Sequence, residues 1–194
     1  MEITSTDIKA LRDETGISVM QCKKALEEAD GDMEKARVIL KKKRSEAAEK
    51  KSDRELGAGA VGAYMHNTNE VAAMVLLACE TDFVSKNEEF VALARDIAMH
   101  VAAMNPKYVS KDEVDEAALS AAKDVFKKEI EDKPADMQEK IMEGKLASYF
   151  KDQILLEQPF VKNPDMTVGD MVSGGVQKFG ENISVAQIAR VSVK

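Results

Sequence analysis

At Ala60 the hydrophobic period of the sequence changes, and that change constrains how a chain of 194 residues can be organised. Before it, apolar residues recur at helical spacing; after it, short apolar runs flank turn residues. The first forty residues predict three short helices. Asp7 to Glu14 carries Ile8 and Leu11 on one face and stops at Gly16. Ser18-Val19-Met20-Gln21 fits a capping box, followed by the stripe Val19, Cys22, Leu26 and Ala29. Asp30-Gly31 breaks that helix, and Asp32 caps a third whose buried face is Met33, Ala36, Ile39 and Leu40. A bundle of about 45 residues lies near the lower size limit for independent folding. Lys41 to Glu55 is dominated by charge, as either a solvated helix extension or a linker. The expected organisation is a three-helix module over 1–45, a charged linker over 46–56 and a core over 57–194.

The core opens with a predicted hairpin: Ala60 to His66, the turn residues Asn67-Thr68-Asn69, then Val71 to Cys79. Ser85 to Glu88 forms a second capping box, ahead of the stripe Phe90, Leu93, Ile97, Val101 and Met104, which Asn105-Pro106 ends. Ser110 to Glu113 gives a third box and a long helix through Val114, Ala118, Ala121, Val125 and Ile130. Helices are expected around Met137 to Glu143 and Leu146 to Glu157, then from Val168 to Phe179, before a closing strand from Ile183 to Val193. Hairpin, helices and strand in that order predict an α+β fold with a small antiparallel sheet.

Composition narrows the function classes. Hydrophobic residues make up 44% and charged residues 32%, enough apolar content for a packed core, although aromatics are only 5% and tryptophan is absent. A net charge of -7 argues against gripping a phosphate backbone, which needs clustered cations. A protein or small-molecule partner is expected instead. Cys22 and Cys79 sit among apolar residues without metal-site spacing, as reduced core thiols of a cytosolic protein would. The opening Met1-Glu2-Ile3-Thr4 has no basic-then-apolar leader, and no run approaches the roughly 18 apolar residues of a membrane span. The expectation is a soluble cytoplasmic protein.

Several strings in the sequence bear on chemistry. Gly57-Ala58-Gly59-Ala60-Val61-Gly62 matches the dinucleotide fingerprint, with Asp82 about twenty residues on. That mechanism needs a strand before the glycines and a helix after them, whereas here a charged run precedes and a hairpin follows. Close backbone packing is the plainer reading, and no cofactor is expected. His66 and His100 are the only histidines; they lack the partners a zinc site or a catalytic triad requires. The scattered carboxylates read as solvated surface. Met20 points with Lys23 and Lys24 away from the apolar stripe, either as a partner contact or as a stray surface residue. Thr81-Asp82-Phe83-Val84 sets a large aromatic on a short connection, tucked into the core or offered to a partner.

The same residues resemble the elongation factor Ts family over nearly the whole chain. Ile8-Lys9-Ala10-Leu11-Arg12, Thr15-Gly16, Cys22-Lys23-Lys24-Ala25-Leu26 and Gly31-Asp32 are similar to its N-terminal module, which the resemblance makes a ubiquitin-associated-type bundle. Thr81-Asp82-Phe83-Val84 is similar to its most specific signature. Asn105-Pro106-Lys107-Tyr108-Val109, Gly144-Lys145-Leu146, Leu156 to Val161 and Gly180-Glu181-Asn182-Ile183 are similar to short bacterial members.

The resemblance implies a non-enzymatic guanine-nucleotide exchange factor for elongation factor Tu. Asp82 and Phe83 would press on the helix beside the partner's nucleotide site, and Thr81 and Val84 belong to the same contact. Arg12, Met20 and Lys51 would touch its nucleotide-binding domain. The family often has a Met pair where this chain has Val19-Met20, and basic and aromatic residues where it has Ala186-Gln187-Ile188, so no role is assigned to the last strand. Short members supply a second copy of the core by dimerising, and a homodimer is expected, since a small sheet with open edges needs cover. The competing reading is a non-catalytic adaptor built from the module and a dimerisation domain; an oxidoreductase rests only on the glycine string.

Overall fold

The computed structural model describes residues 3–131 and 134–193, apart from the side chains of residues 135 and 136. The expected bounds 1–45 and 57–194 include residues 1, 2, 132, 133 and 194, which lie outside the described residues.

The first helix begins two residues earlier than the sequence suggests. Helix α1 spans Ser5–Thr15 because Thr4 and Asp7 form a reciprocal capping box: Asp7 N–H donates to Thr4 Oγ1 at 3.2 Å, and Thr4 N–H to Asp7 Oδ2 at 3.0 Å. Gly16 ends it at φ 68°, a conformation that favours glycine. Helix α2, Val19–Glu28, is capped at Ser18, but the returning half of the expected box does not form. Gln21 Oε1 accepts instead from Gln177 Nε2 at 3.0 Å, across to the core. Val19 is 51% exposed, so the buried stripe is Cys22, Ala25, Leu26 and Ala29. Asp32 caps α3, Met33–Glu49, whose Ala36 and Leu40 complete the small core with Leu11 and Ile17.

Helix α3 runs on through the charged stretch, so the expected linker begins inside it. Its second half lies against the core: Ala48 packs on the main apolar cluster and Lys41 Nζ reaches Asp170 Oδ2 at 3.1 Å.

Strands β1 (Ala58–Met65) and β2 (Val71–Cys79) form the predicted antiparallel hairpin, and β5 (Ile183–Ser192) pairs antiparallel on the far side of β2. The order β1-β2-β5 is one small antiparallel sheet, and the α+β class holds. Helix α5, Glu88–Met104, crosses one face, burying Phe90, Ala94, Ile97, Ala98 and Val101 against Val75, Leu77 and Cys79. A Cβ at Gly62 would fall 2.2 Å from the Ala94 carbonyl carbon. The glycine string therefore lets a helix backbone rest directly on a strand. It lies largely within β1 and leads to no helix N-terminus.

Two other predicted starts moved. Asn87, not Ser85, caps α5, accepting Glu89 N–H at 2.9 Å; Ser85 closes the separate short helix α4, Asp82–Ser85. Asp115, not Ser110, caps α6, Glu116–Ile130. Glu113 turns back to Val109 N–H at 2.6 Å and holds a 3-10 turn. Val125 is 64% exposed, and the buried side of α6 carries Ala122 and Ile130. The two helices expected over Met137 to Glu143 and Leu146 to Glu157 are one, α7, Ala135–Lys151, with Gly144 inside it; it stops short of Glu157, and Leu155–Glu157 forms a separate 3-10 turn. A short pair, β3 (Pro159–Phe160) and β4 (Asn163–Thr167), precedes α8, Val168–Phe179, which a Thr167/Asp170 capping box opens and Gly180 closes.

Candidate partner interface

Strand β2 delivers the chain to Thr81, whose extended backbone and hydroxyl cap α4, accepting Val84 N–H at 3.5 Å. Successive helical residues point about 100° apart, and the four motif residues divide accordingly. Val84 is 5% exposed and joins the main core. Phe83 is 83% exposed, and among the described residues no ring packs on it. Asp82 stands in the first turn, where a negative charge suits the helix dipole. The hydrogen bond from Lys86 Nζ, 2.6 Å away, holds its carboxyl below the usual carboxylate range. Both partners are largely exposed, so this pair adds little stability. The turn thus presents one aromatic ring and one carboxylate to solvent, with Val84 as its anchor.

The other candidates lie elsewhere. Arg12, in the last turn of α1, has its guanidinium 3.7 Å from Asp13 Oδ1, with both side chains more than half exposed. Met20 is 64% exposed on the first turn of α2. Arg12 also lines a cleft of about 580 Å³ between the bundle and α8, together with Gly16, Gln21 and Lys178. Lys51 is half-buried, and its ammonium lies 3.5 Å from the Val176 carbonyl near the end of α8, where a cation suits the helix dipole. Arg12 and Met20 thus sit on the bundle, Lys51 at its junction with the core, and Thr81 to Val84 on the core.

Sequence reasoning gave no role to Glu181 and Asn182, which contact the Thr81 turn and the segment after α3. Their partners lie about a hundred residues away in the chain, so no local pattern announces them.

Of the two histidines, His100 is a core residue. His100 is fully buried; Nε2 lies 2.8 Å from Gln158 Oε1, and Nδ1 accepts Val161 N–H at 3.2 Å. An Nδ1 that accepts a backbone N–H carries no proton, so the neutral ring holds its proton on Nε2 and donates it to Gln158. Burial lowers its pKa from the ordinary value. His66 Nδ1 meets the Tyr64 hydroxyl at 3.1 Å near the hairpin turn. Among the described residues no group of three or more His, Cys, Asp or Glu side chains is arranged to hold a metal ion, and no helix is long and apolar enough to cross a membrane.

Comparison with known proteins bears on the whole chain. The family model described as Elongation factor TS matches residues 40–193. Elongation factor Ts of Carboxydothermus hydrogenoformans is 46% identical over 190 residues, covering 97% of this chain and 88% of that protein. The proteins of the same name from Thermodesulfovibrio yellowstonii and Coprothermobacter proteolyticus are 43% and 42% identical, covering 100% and 98% of this chain and 97% and 98% of theirs. These matches span the chain from bundle to last strand, and the chain belongs to the elongation factor Ts family of translation elongation factors.

Proposed function

We propose that this protein binds elongation factor Tu and accelerates GDP release from it, acting in the cytoplasm by binding alone. The observation that carries this reading is Phe83, a large aromatic 83% exposed on a capped turn whose next residue is locked in the core. An exposed ring on a rigid support is what an interface anchor needs, since little ordering cost remains to be met on binding. Asp82 and Phe83 engage the helix beside the partner's nucleotide site and disturb the magnesium ion and phosphate loop. Arg12 and Met20 hold the nucleotide-binding domain from the bundle. Exchange factor and nucleotide then weaken each other's affinity by the same ratio, and no covalent step is involved.

The functional unit in this reading is a homodimer. The sheet face away from α5 carries Val61, Met65, Met74 and Val191, all more than half exposed. In register, Met65, Ala72 and Val191 form one row across the strands, and Ala63, Met74 and Ala189 the next. Neither row contains a charge. A continuous apolar face of this kind favours burial against its own twofold copy.

The deciding experiment follows labelled GDP leaving elongation factor Tu with and without the protein. Release that is no faster at saturating protein would remove the exchange reading.

A further inference from the structure

Helix α4 is a single turn, too short to hold its own direction, so its orientation is imposed from outside. Val84 anchors it in the core, and the group that fixes its capping residue, Thr81, is Glu181, in the corner between α8 and β5. Its Oε2 accepts the N–H groups of Glu80 and Thr81 at 3.1 and 3.0 Å, and its Oε1 accepts the Thr81 hydroxyl at 2.5 Å. A hydroxyl has one proton to donate; spending it on Glu181 leaves a lone pair for Val84 N–H, which is the capping bond. Asn182 extends the clamp. Its N–H donates to Glu80 Oε1, and its Nδ2 holds the carbonyls of Ser52 and Arg54 at 3.2 and 3.0 Å.

We infer that Glu181 is a positioning residue for nucleotide exchange: its carboxylate fixes Thr81 so that Asp82 and Phe83 meet the partner in one orientation. This rests on the reading that Phe83 is the partner contact. Glu181 gathers three hydrogen bonds onto one carboxylate, and charge-assisted bonds are the strong ones. Through Asn182 the same corner grips the segment that follows α3, so the bundle's exit and the contact turn share one support.

The test uses the full chain with elongation factor Tu carrying labelled GDP. Glu181→Ala is expected to slow stimulated release at limiting protein on the order of tenfold, as loss of a charge-assisted anchor does. If Glu181 acts by placing Asp82 and Phe83, the double variant Glu181→Ala, Phe83→Ala is slowed by less than the two separate effects combined, because coupled residues are not additive. The chain has no tryptophan, so Phe83→Trp supplies a lone indole, which can be excited at wavelengths where the three tyrosines do not absorb. Its anisotropy in the free protein should fall when Glu181→Ala is added. Glu181→Gln, isosteric and safer for folding, should move release and anisotropy in the same direction by less. Fully additive slowing, or unchanged release and anisotropy in both Glu181 variants while Phe83→Ala is slow, overturns the role of Glu181 and leaves the exchange reading standing. Phe83→Ala with normal release overturns the exchange reading at Phe83, and the role of Glu181 falls with it.

Discussion

Phe83 and Val84 are neighbours in the chain and opposites in environment: the ring is 83% exposed, while the adjacent side chain is 5% exposed and packed in the main core. The backbone of α4 turns one outward and the other inward, so contact and anchor can be separated by substitution. Phe83→Ala should leave the melting temperature unchanged, because a ring in water leaves no cavity when removed. It should slow stimulated GDP release by roughly 30-fold at limiting protein, since a truncated aromatic anchor costs about 2 kcal/mol or more. Val84→Ala should do the reverse in melting, losing about 2 kcal/mol of burial and several degrees. Measuring melting and exchange on the same samples separates the two, and a large melting shift in Phe83→Ala would contradict the arrangement described.

The buried imidazole of His100 gives a pH dependence. Its pKa is lowered by burial, partly offset by the hydrogen bond to Gln158. On unfolding it returns toward about 6.5. Where the pH lies between the two values, the unfolded chain binds the extra proton and the folded chain does not. The stabilising contribution is therefore full above about 6.5 and is lost as the pH falls through that value toward the lowered one. The ring protons of His100 should titrate below 6.5 by NMR, and His100→Leu should remove this pH dependence while lowering melting at every pH, since Gln158 loses its partner. A titration midpoint at or above 6.5 would show the ring to be solvated.

How much of this was legible in the sequence depended on distance along the chain. Helix α8 was placed at its observed bounds because Gly180 marks its end locally. The hairpin was placed because Asn67 to Asn69 announce the turn, with Asn69 at φ 59°. The box-like strings at Ser85 and Ser110 do not start α5 and α6: the caps lie further along the chain, at Asn87 and Asp115, whose side-chain oxygens reach the N–H of Glu89 and Ala118. The exposure of Phe83 could not be read from its neighbours, because Val84 is equally apolar and only the direction of α4 tells them apart. That direction is set in part by Glu181, about a hundred residues away.

The uncharged sheet face predicts the oligomeric state. Met74 lies on the central strand of the sheet, between Ala63 and Ala189. A carboxylate there would be buried without a partner in a twofold interface but solvated in a monomer. Met74→Glu should therefore convert a dimer of about twice the chain mass into a monomer by light scattering, with little change in helix content. A strictly monomeric unsubstituted protein that retains exchange would remove the dimer.

The bundle supplies the last prediction. Arg12 and Met20 are both well exposed, and neither contributes to the small core of Leu11, Cys22, Leu26 and Leu40. The Arg12 guanidinium makes only a loose surface pair with Asp13, which stabilises little. Replacing both by alanine should then leave folding intact, with melting within about two degrees of the parent, as surface substitutions usually do. If the bundle holds the partner while α4 disturbs the nucleotide site, the two losses differ in kind. The Arg12→Ala, Met20→Ala variant should need roughly tenfold more protein to reach half-maximal release, because binding shared by all states has been removed. Its release rate at saturation should stay near the parent's. Phe83→Ala should lower the saturated rate itself if, as proposed, its contact is made beside the partner's nucleotide site. A saturated rate that falls equally in both variants would mean that bundle and turn act as one surface, and that the division of labour drawn from their separate places on bundle and core is wrong.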